Sequence, residues 1–272
     1  GYINLSLSGA KTVSVFITQN TTKRFDIATS DITTTGVVVS VKPEAKLAET
    51  TYYYGIVDKR SYLAAGKEGV ITEFIESIKA DTSLNIADYI VKGNDSYSFE
   101  RLWSQTEYYV IVFDLDADGN YSGDISLYEF TTEAIGVPGT DFAFDIDGSK
   151  ITVTPRTTAK GRYYIVGLMN IYDWSAYPSN YYYSGSFYAA FDYLDKLGDN
   201  MKSNLLIGTK TIDFAEQLNG SEYDTFVVFA FGTNGNGISS DGASADIQTD
   251  VAFVKFYYDQ PDVAKPSDPS DS

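Results

Sequence analysis

The sequence contains no cysteine and no histidine. These absences exclude disulfide bonds, thiolate nucleophiles, Ser-His-Asp triads and metal sites that need sulfur or imidazole ligands. The chemistry that remains uses oxygen: paired carboxylates for glycoside hydrolysis, and calcium sites built from carboxylate and carbonyl oxygens. No spacing among the 37 acidic residues singles out a catalytic pair, and we therefore predict that the protein is not an enzyme.

Basic residues are also scarce, with 20 Lys and Arg against 37 Asp and Glu, a net charge of −17 and a pI near 4.2. This charge repels phosphates and anionic lipids, so we predict no nucleic-acid partner. No apolar run approaches the roughly 18 residues of a membrane span, which predicts no transmembrane segment. The first residues lack the basic and apolar regions of a signal peptide, and we expect a trimmed mature region.

An internal repeat divides the 272 residues, of which 43% are hydrophobic. The run Val39–Pro43, followed by Tyr52–Tyr54, recurs as Ile151–Pro155 followed by Tyr163–Tyr164, and the two prolines lie 112 residues apart. Further matches keep the same order: Phe25–Ile27 with Phe144–Ile146, Lys92-Gly93 with Ile207-Gly208, Phe99 with Phe214, Leu102 with Leu218, and Asp118–Asn120 with Asn234–Asn236. The chain is therefore predicted to hold two homologous domains.

We predict the domain limits from the repeat and from composition. The domains span 23–134 and 140–258, joined by a linker at 135–139 that contains Gly and Pro. Residues 1–22 form an N-terminal strand-like arm in which apolar residues alternate, either a partner-binding strand or an extra hairpin. Residues 259–272, rich in Pro and Asp, are predicted to be a disordered tail because they cannot build a core.

The periodicity of each repeat is mainly two, which is typical of strands. The predicted strands are 36–41, 51–57, 108–113 and 125–132 in the first repeat, and 150–155, 162–168, 225–231 and 247–257 in the second. The Gly and Asn residues that follow the third strand of each repeat predict a tight hairpin.

Each repeat also contains one amphipathic helical stretch after its second strand. The apolar positions are Val70, Ile71, Phe74, Ile75 and Ile78 in the first repeat, and Phe187, Ala190, Phe191, Leu194 and Leu197 in the second, where Ser186 is the expected N-cap. We therefore predict a mainly β protein: two tandem Ig/fibronectin III-like antiparallel β-sandwiches, each with an α-helical insertion after strand C.

The residues of the third and fourth strands carry a resemblance to a known family. Leu102, Thr106 and Tyr108, a Gly-Asn turn and the terminal Phe130–Thr132 resemble strands E to G of fibronectin type III domains. This resemblance implies that Tyr108 is the tyrosine corner, whose hydroxyl ties down the crossing between sheets. In the second repeat the Thr is absent and the corresponding tyrosine, Tyr223, lies one position early.

The tandem repeat with helical insertions also resembles uncharacterised surface lipoproteins of the Bacteroides group with Ig-like or fibronectin-like domains. That resemblance implies a location on the cell surface or outer membrane, facing the exterior or the periplasm, a lipid anchor outside this sequence, and no catalytic residues. Some members of this class bind glycans beside a polysaccharide transporter, and others are adhesion or pilus-associated proteins.

A segment of alternating carboxylates is the sharpest local motif. Asp114, Asp116, Asp118 and Asn120 surround Gly119 in the D-x-D-x-D-G manner of calcium loops. The twelfth loop position is Ile125 rather than the bidentate Glu of an EF-hand. Two interpretations remain open: a calcium site, which would be the only cofactor, or a turn that needs Gly119 for its backbone and tolerates solvated acids.

An aromatic segment of the second repeat is the other candidate site. It comprises Tyr172, Asp173, Trp174, Tyr177, Asn180, Tyr181, Tyr182 and Tyr183. Aromatic rings stack on the C–H faces of sugars, while Asp and Asn form hydrogen bonds with hydroxyls. Because the chain has 23 Tyr, the segment could equally pack over the end of the sandwich.

Two functions follow from these sites. The preferred hypothesis is a non-catalytic cell-surface protein that binds polysaccharide through the aromatic segment of the second domain. The alternative is a structural adhesin or a pilus or assembly component that acts through contacts with a surface protein. Coplanar exposed rings would favour sugar, whereas an unpaired strand at residues 3–7 would favour assembly.

Overall fold

The computed structural model describes residues 2–5, 13–16, 24–177, 185–240, 242 and 244–259, the first two ranges by their backbone. Its contacts divide the chain into two compact units. Unit 1 comprises Gly1–Ser30, Val38–Ser98 and Glu107–Phe130, and unit 2 comprises Asp31–Val37, Phe99–Thr106 and Thr131–Ser272. The predicted domain limits stay a prediction. Among the described residues, no helix is both long and apolar enough to cross a membrane.

Unit 1 contains two antiparallel sheets and a separate hairpin. Its strands are β1 (Tyr2–Leu5), β2 (Val13–Phe16), β3 (Phe25–Ser30), β4 (Val37–Pro43), β5 (Thr51–Asp58), β6 (Val91–Lys92), β7 (Asp95–Phe99), β8 (Glu107–Asp114) and β9 (Ile125–Thr131). One sheet has the order β3-β4-β7 and the other β6-β5-β8-β9. The strands β1 and β2 form a two-stranded sheet of their own.

Unit 2 repeats this plan with six strands. They are β10 (Phe142–Asp147), β11 (Lys150–Pro155), β12 (Tyr163–Asn170), β13 (Lys210–Asp213), β14 (Thr225–Thr233) and β15 (Ala252–Tyr257), in the sheets β10-β11-β13 and β12-β14-β15. An isolated bridge between Tyr164 and Leu206 takes the place of β6. The fold is therefore that of two fibronectin type III-like sandwiches, as the sequence predicts.

The same aromatic pair anchors both sandwiches. Tyr52 of β5 packs against Phe25 with ring centroids 5.0 Å apart, and its hydroxyl donates to the Gly93 carbonyl at 2.7 Å. In unit 2, Tyr164 packs against Phe142 at 5.3 Å and donates to the Gly208 carbonyl, also at 2.7 Å. These contacts confirm the match between the two tyrosines and between the two glycines.

The strand register corrects one match of the repeat. Phe25 pairs with Pro43, whereas Pro155 pairs with Phe142 and not with Phe144. The true counterpart of Phe25 is therefore Phe142. Because side chains in a strand alternate, a shift of two residues keeps the same face, and the sequence pattern alone could not detect it.

The register also settles which residue of unit 2 corresponds to Tyr108. Tyr108 pairs with Asp58 at the end of β5, and Phe226 pairs with Asn170 at the end of β12. Phe226, rather than Tyr223, is thus the counterpart. Phe has no hydroxyl, so unit 2 lacks a tyrosine corner at this position, and the corner role of Tyr108 stays a prediction.

Helices follow the third strand of each sandwich, and unit 2 has a further short helix after β13. They are α1 (Lys59–Ala80) in unit 1, and α2 (Ile171–Ser175), α3 (Gly185–Leu197) and α4 (Ala215–Asn219) in unit 2. The side chain of Asp58 accepts from the Ser61 backbone N–H to cap α1, and Asn170 accepts likewise from Asp173 to cap α2. The prediction of a helical insertion after strand C is confirmed.

The helices cover the outer face of a sheet. Ile71, Ile75 and Ile78 of α1 form one core cluster with Ile111 and Phe113 of β8. In unit 2, residues of α2 and α3 form a core with alternate residues of β14, while the other face of β14 belongs to the core between the sheets. All nine residues of β14 are therefore buried.

Two local predictions were wrong. Ser186 is not the N-cap of its helix, because α3 begins at Gly185 and Ser186 is buried inside its first turn. The connection after β8, the third predicted strand of the first repeat, is not a tight hairpin, since residues 115–124 separate β8 from β9. The turn residues sit within that longer loop, where the Gly119 N–H donates to the Asp116 carbonyl at 3.0 Å.

Candidate functional site

The structure describes half of the predicted aromatic segment. Tyr172 and Asp173 of α2 are exposed, Tyr177 is partly buried, and Trp174 is completely buried. The predicted site residues Asn180, Tyr181, Tyr182 and Tyr183 lie outside the described residues.

Trp174 cannot act as an exposed stacking residue. Its ring is 0% exposed and packs 5.6 Å from the Phe229 ring and 5.0 Å from the Phe253 ring, measured between centroids. No face of the indole is left for a sugar, so we correct the prediction by removing Trp174 from the candidate ligand set. The sequence hid this because a tryptophan on the buried side of a short helix looks the same as one in a loop.

A cleft of about 600 Å³ opens beside α2 in unit 2. Its lining is mainly apolar or aromatic, from Leu168, Met169, Ala176, Tyr177, Tyr193 and Phe226. The polar lining residues are Asn170, Asp173, Lys196, Gln217 and Ser221. This volume and this mixture are typical of small-molecule sites. The structure therefore brings two predicted residues, Asp173 and Tyr177, into one concave surface.

A chain of polar contacts fixes one wall of the cleft. The Tyr177 hydroxyl donates a short hydrogen bond to the Asp192 carboxylate, which lies 2.7 Å from Lys196 Nζ. Burial raises the pKa of Tyr177, and the bond to Asp192 raises it further. Burial acts to raise the pKa of Asp192, but the hydrogen bonds from Lys196 and Tyr177 lower it overall. The phenol therefore stays neutral and the carboxylate charged.

Asp173 is held at the cleft by its own helix start. Its backbone N–H donates to Asn170 Oδ1 at 2.8 Å, and its Oδ2 accepts from Asn170 Nδ2 at 2.8 Å. As the N-cap of α2, Asn170 therefore fixes both its own side chain and that of Asp173. The carboxylate of Asp173 remains exposed to solvent and keeps lone pairs for a ligand hydroxyl.

Two tyrosines stand together at the rim. The rings of Tyr172 and Tyr223 are almost parallel, with an interplanar angle of 8° and centroids 6.1 Å apart, and Tyr172 is 58% exposed. Tyr172 precedes the lining residue Asp173, and the Tyr223 N–H donates to Oγ of the lining residue Ser221 at 3.1 Å. Sequence reasoning missed Tyr223 because it was interpreted as a corner residue far from the helix.

The acidic turn of unit 1 is organised by hydrogen bonds within itself. Asp116 accepts from the Asp118 N–H at 3.0 Å and from the Asn120 N–H at 2.8 Å, and Asn120 Nδ2 donates to its other oxygen. The Asn120 side chain, with these N–H groups, lowers the pKa of Asp116. The side chain of Asp114 instead lies 3.3 Å from the Arg24 guanidinium.

The predicted calcium ligands are therefore engaged with different partners. Within the described part of the chain, no group of three or more acidic side chains is placed to hold a metal ion. The geometry favours the turn interpretation, and calcium binding stays a prediction.

Comparisons with known proteins find similarity only in overall architecture. No model of a known protein family matches the chain, and no curated protein matches it. Similar solved structures include the central fibronectin III array of RIM-binding protein, at 12% identity and a TM-score of 0.25, covering 81% of this chain and 60% of that one. A two-domain fibronectin type III segment of chicken tenascin matches at 12% identity and a TM-score of 0.24, covering 85% and 98%.

A third similar structure contains the FN1–FN3 domains of chicken CNTN1, at 12% identity and a TM-score of 0.25, covering 86% of this chain and 65% of that one. The chain thus spans less than two thirds of the RIM-binding protein array and of the CNTN1 segment. Nothing about ligands is carried over from these structures, and the fold assignment rests on the strand order described above.

Proposed function

We propose that the protein is a non-catalytic cell-surface binding protein that binds carbohydrate in the cleft of unit 2. The observation that carries this proposal is the near-parallel pair of Tyr172 and Tyr223 beside a cleft of about 600 Å³. Tyr172 is exposed and Tyr223 is partly buried behind it. An exposed aromatic face next to hydrogen-bonding groups suits sugars, whose rings are apolar on their faces and polar at their edges.

The polar lining supports this proposal. Asn170, Gln217 and Ser221 offer neutral donors and acceptors, and Asp173 offers a fixed acceptor. Tyr177 and Tyr193 supply further aromatic surface inside the cleft. The cell-surface or outer-membrane location, outward-facing or periplasmic, and the lipid anchor belong to the same proposal and rest on the resemblance of the sequence.

Affinity gel electrophoresis tests the proposal. The intact chain and the variants Tyr172→Ala and Tyr223→Ala are run through gels that contain plant, microbial or host polysaccharides. We expect at least one polysaccharide to retard the intact chain and each rim variant to lose most of that retardation. The matched control is Tyr97→Ala, which removes a tyrosine of unit 1 that is 60% exposed and lies on β7.

The control separates a specific site from general stickiness. Tyr97→Ala should migrate like the intact chain in every gel. Migration without retardation in all gels would contradict the carbohydrate proposal for those polymers. Equal loss in the Tyr97 variant would contradict the placement of the site in unit 2.

A second candidate function, adhesion or assembly through protein contacts, is favoured by the β1–β2 hairpin. The simplest form of that function needs an unpaired strand at residues 3–7, but residues 3–5 are paired with β2. Among the described strands, however, β1 and β2 pair only with each other, and an incoming strand could extend either edge. Sedimentation of the intact chain and of a chain lacking residues 1–22 tests this, since assembly through the hairpin predicts higher oligomers of the intact chain alone.

A further inference from the structure

The charged side chains that line the cleft leave it with an excess negative charge. Asp173 and Lys196 are the charged side chains among its described lining residues. Lys196 Nζ is already paired with the Asp192 carboxylate at 2.7 Å, which raises the pKa of Lys196 and occupies its charge. Among the described residues Asp173 makes no ion pair, so one negative charge is left without a cation.

The charge of Asp173 acts on three neighbouring groups of the cleft and its rim. Burial and Asp192 raise the pKa of Tyr177, and the hydrogen bond with Asp192 raises the pKa of Lys196. Burial and the neighbouring Glu222 raise the pKa of Tyr223. The charge of Asp173 adds a smaller increase at all three groups. A ligand that stacks on the exposed Tyr172 and reaches into the cleft passes Asp173, the next residue of α2. The fixed cap from Asn170 keeps the carboxylate in place.

We propose that the cleft takes an uncharged glycan and that Asp173 is the specificity-determining residue that excludes glycans bearing carboxylates. This inference rests on the proposed function. The Asp173 carboxylate accepts hydrogen bonds from neutral sugar hydroxyls, whereas it repels the carboxylate of a uronic acid. Lys196 does not offset this charge, because Lys196 and Asp192 form a pair without net charge and Asp173 remains as the excess negative charge.

The test uses pairs of polymers that share a backbone and differ in charge. Affinity gels contain dextran or carboxymethyl-dextran, and hydroxyethylcellulose or carboxymethylcellulose, beside the polysaccharide panel. We expect neutral polymers to retard the intact chain and carboxylated partners to retard it less. Asp173→Asn keeps the size of the side chain and should strengthen retardation by the carboxylated polymer about fivefold, which corresponds to about 1 kcal/mol for two charges 4 Å apart in water.

The net charge of −17 also repels acidic polymers, so a matched control is required. Asp147→Asn makes the same charge change at an exposed position at the end of β10, where it should leave the retardation unchanged. Running the gels at roughly 0.1 M salt limits long-range repulsion to about 10 Å. Circular dichroism of both variants checks that they fold like the intact chain.

The outcomes separate this inference from the proposed function. Stronger binding of the neutral polymer, together with a gain specific to Asp173→Asn, supports the inference. Retardation of the intact chain by carboxylated polymers at least as strong as by their neutral partners overturns it and leaves carbohydrate binding standing. Equal effects of Asp173→Asn and Asp147→Asn also overturn it, and no retardation by any polymer overturns the proposed function itself.

Discussion

The two insertions that follow equivalent strands differ far more than the sandwiches that carry them. In unit 1 the insertion is α1, whose isoleucines close over the sheet. In unit 2 the insertion is split into α2 and α3, and a cleft lined by tyrosines and polar groups remains beside them. The sandwich supplies a scaffold in both units, and in our proposal the insertion of unit 2 adds the binding site to it.

The start of each insertion shows how the difference arises. Asp58 and Asn170 occupy the same position, 112 residues apart, and both cap the helix that follows. Counting from these caps, the partly buried Tyr62 corresponds to the fully buried Trp174. The tryptophan anchors α2 so deeply that Tyr172 and Asp173 are left on the exposed side.

The largest expected loss of stability therefore comes from substitution of Trp174, compared with the equivalent Tyr62. Trp174→Ala should destabilise unit 2 by about 3–5 kcal/mol, since it leaves a large cavity against Phe229 and Phe253. Tyr62→Ala should cost about 1–2 kcal/mol, because this ring is only partly buried and makes an edge contact with Tyr109 at 5.1 Å. Urea unfolding of each variant measures the free energy of unfolding. Equal losses of unfolding free energy would contradict the view that Trp174 anchors its insertion more firmly than Tyr62 does.

A break in α1 gives the next effect. Gly66 interrupts the helix with φ 71° and ψ 172°, a conformation that residues with a side chain rarely adopt. Gly66→Ala should destabilise unit 1 by about 1–3 kcal/mol. The loss would come from backbone strain alone, because no atom lies within 4 Å of the added Cβ. Gly69→Ala is the comparison in the same thermal melts, because Gly69 has no positive φ and its added Cβ meets only the Ala65 Cβ, at 3.2 Å. It should therefore lose less stability than Gly66→Ala. A Gly66 variant that is as stable as the intact chain would show that the break is not required.

The shared framework predicts equal effects in the two units. Tyr52→Phe and Tyr164→Phe each remove a hydroxyl that donates to a glycine carbonyl at 2.7 Å, and each should cost about 1 kcal/mol. Denaturant unfolding of the two variants provides the comparison. A loss confined to one variant would contradict the equivalence of the two anchors.

The same tyrosines predict a pH dependence. Burial raises the pKa of Tyr52 and of Tyr164 to about 12, above the value of about 10 in an unfolded chain. Their contribution to stability is therefore fully present below pH 10 and is lost as the pH rises toward 12. Thermal melts from pH 9 to pH 12 should show a decline that is shallower in the double Phe variant.

The smallest expected effect concerns the acidic turn, which unit 2 lacks. Because Asp116 and Asp114 are engaged with Asn120 and Arg24, we expect millimolar calcium to leave the melting temperature unchanged. A rise in melting temperature that Asp116→Asn abolishes and magnesium does not reproduce would establish the calcium site after all.

Sequence reasoning reached the fold because β-sandwiches leave a period of two, and a repeat doubles the signal. The strand 150–155 and the isoleucines of α1 were found by this route. The sequence did not predict which sheet face each helix covers. In β14 the residues of both faces are apolar, so no alternation of apolar and polar residues distinguishes the two faces. The register of Phe142 was missed for a related reason, since a two-residue slip preserves the pattern.

The candidate site was only half accessible to such reasoning. Tyr172, Asp173 and Tyr177 were found from composition and spacing, whereas Trp174 needed the packing of α2 to be recognised as core. Tyr223 lies about 50 residues from Tyr172 in sequence, and only the tertiary fold brings the two rings together. No local pattern predicts such a pair.

Hydrogen–deuterium exchange with and without a polysaccharide that retards the intact chain tests the central claim most directly. The account predicts slower exchange in peptides that cover 168–177 and 217–226, which carry the cleft and its rim, and no change over α1 of unit 1. Protection over residues 59–80 instead, or equal protection in both units, would contradict the claim that the split insertion of unit 2 makes the site.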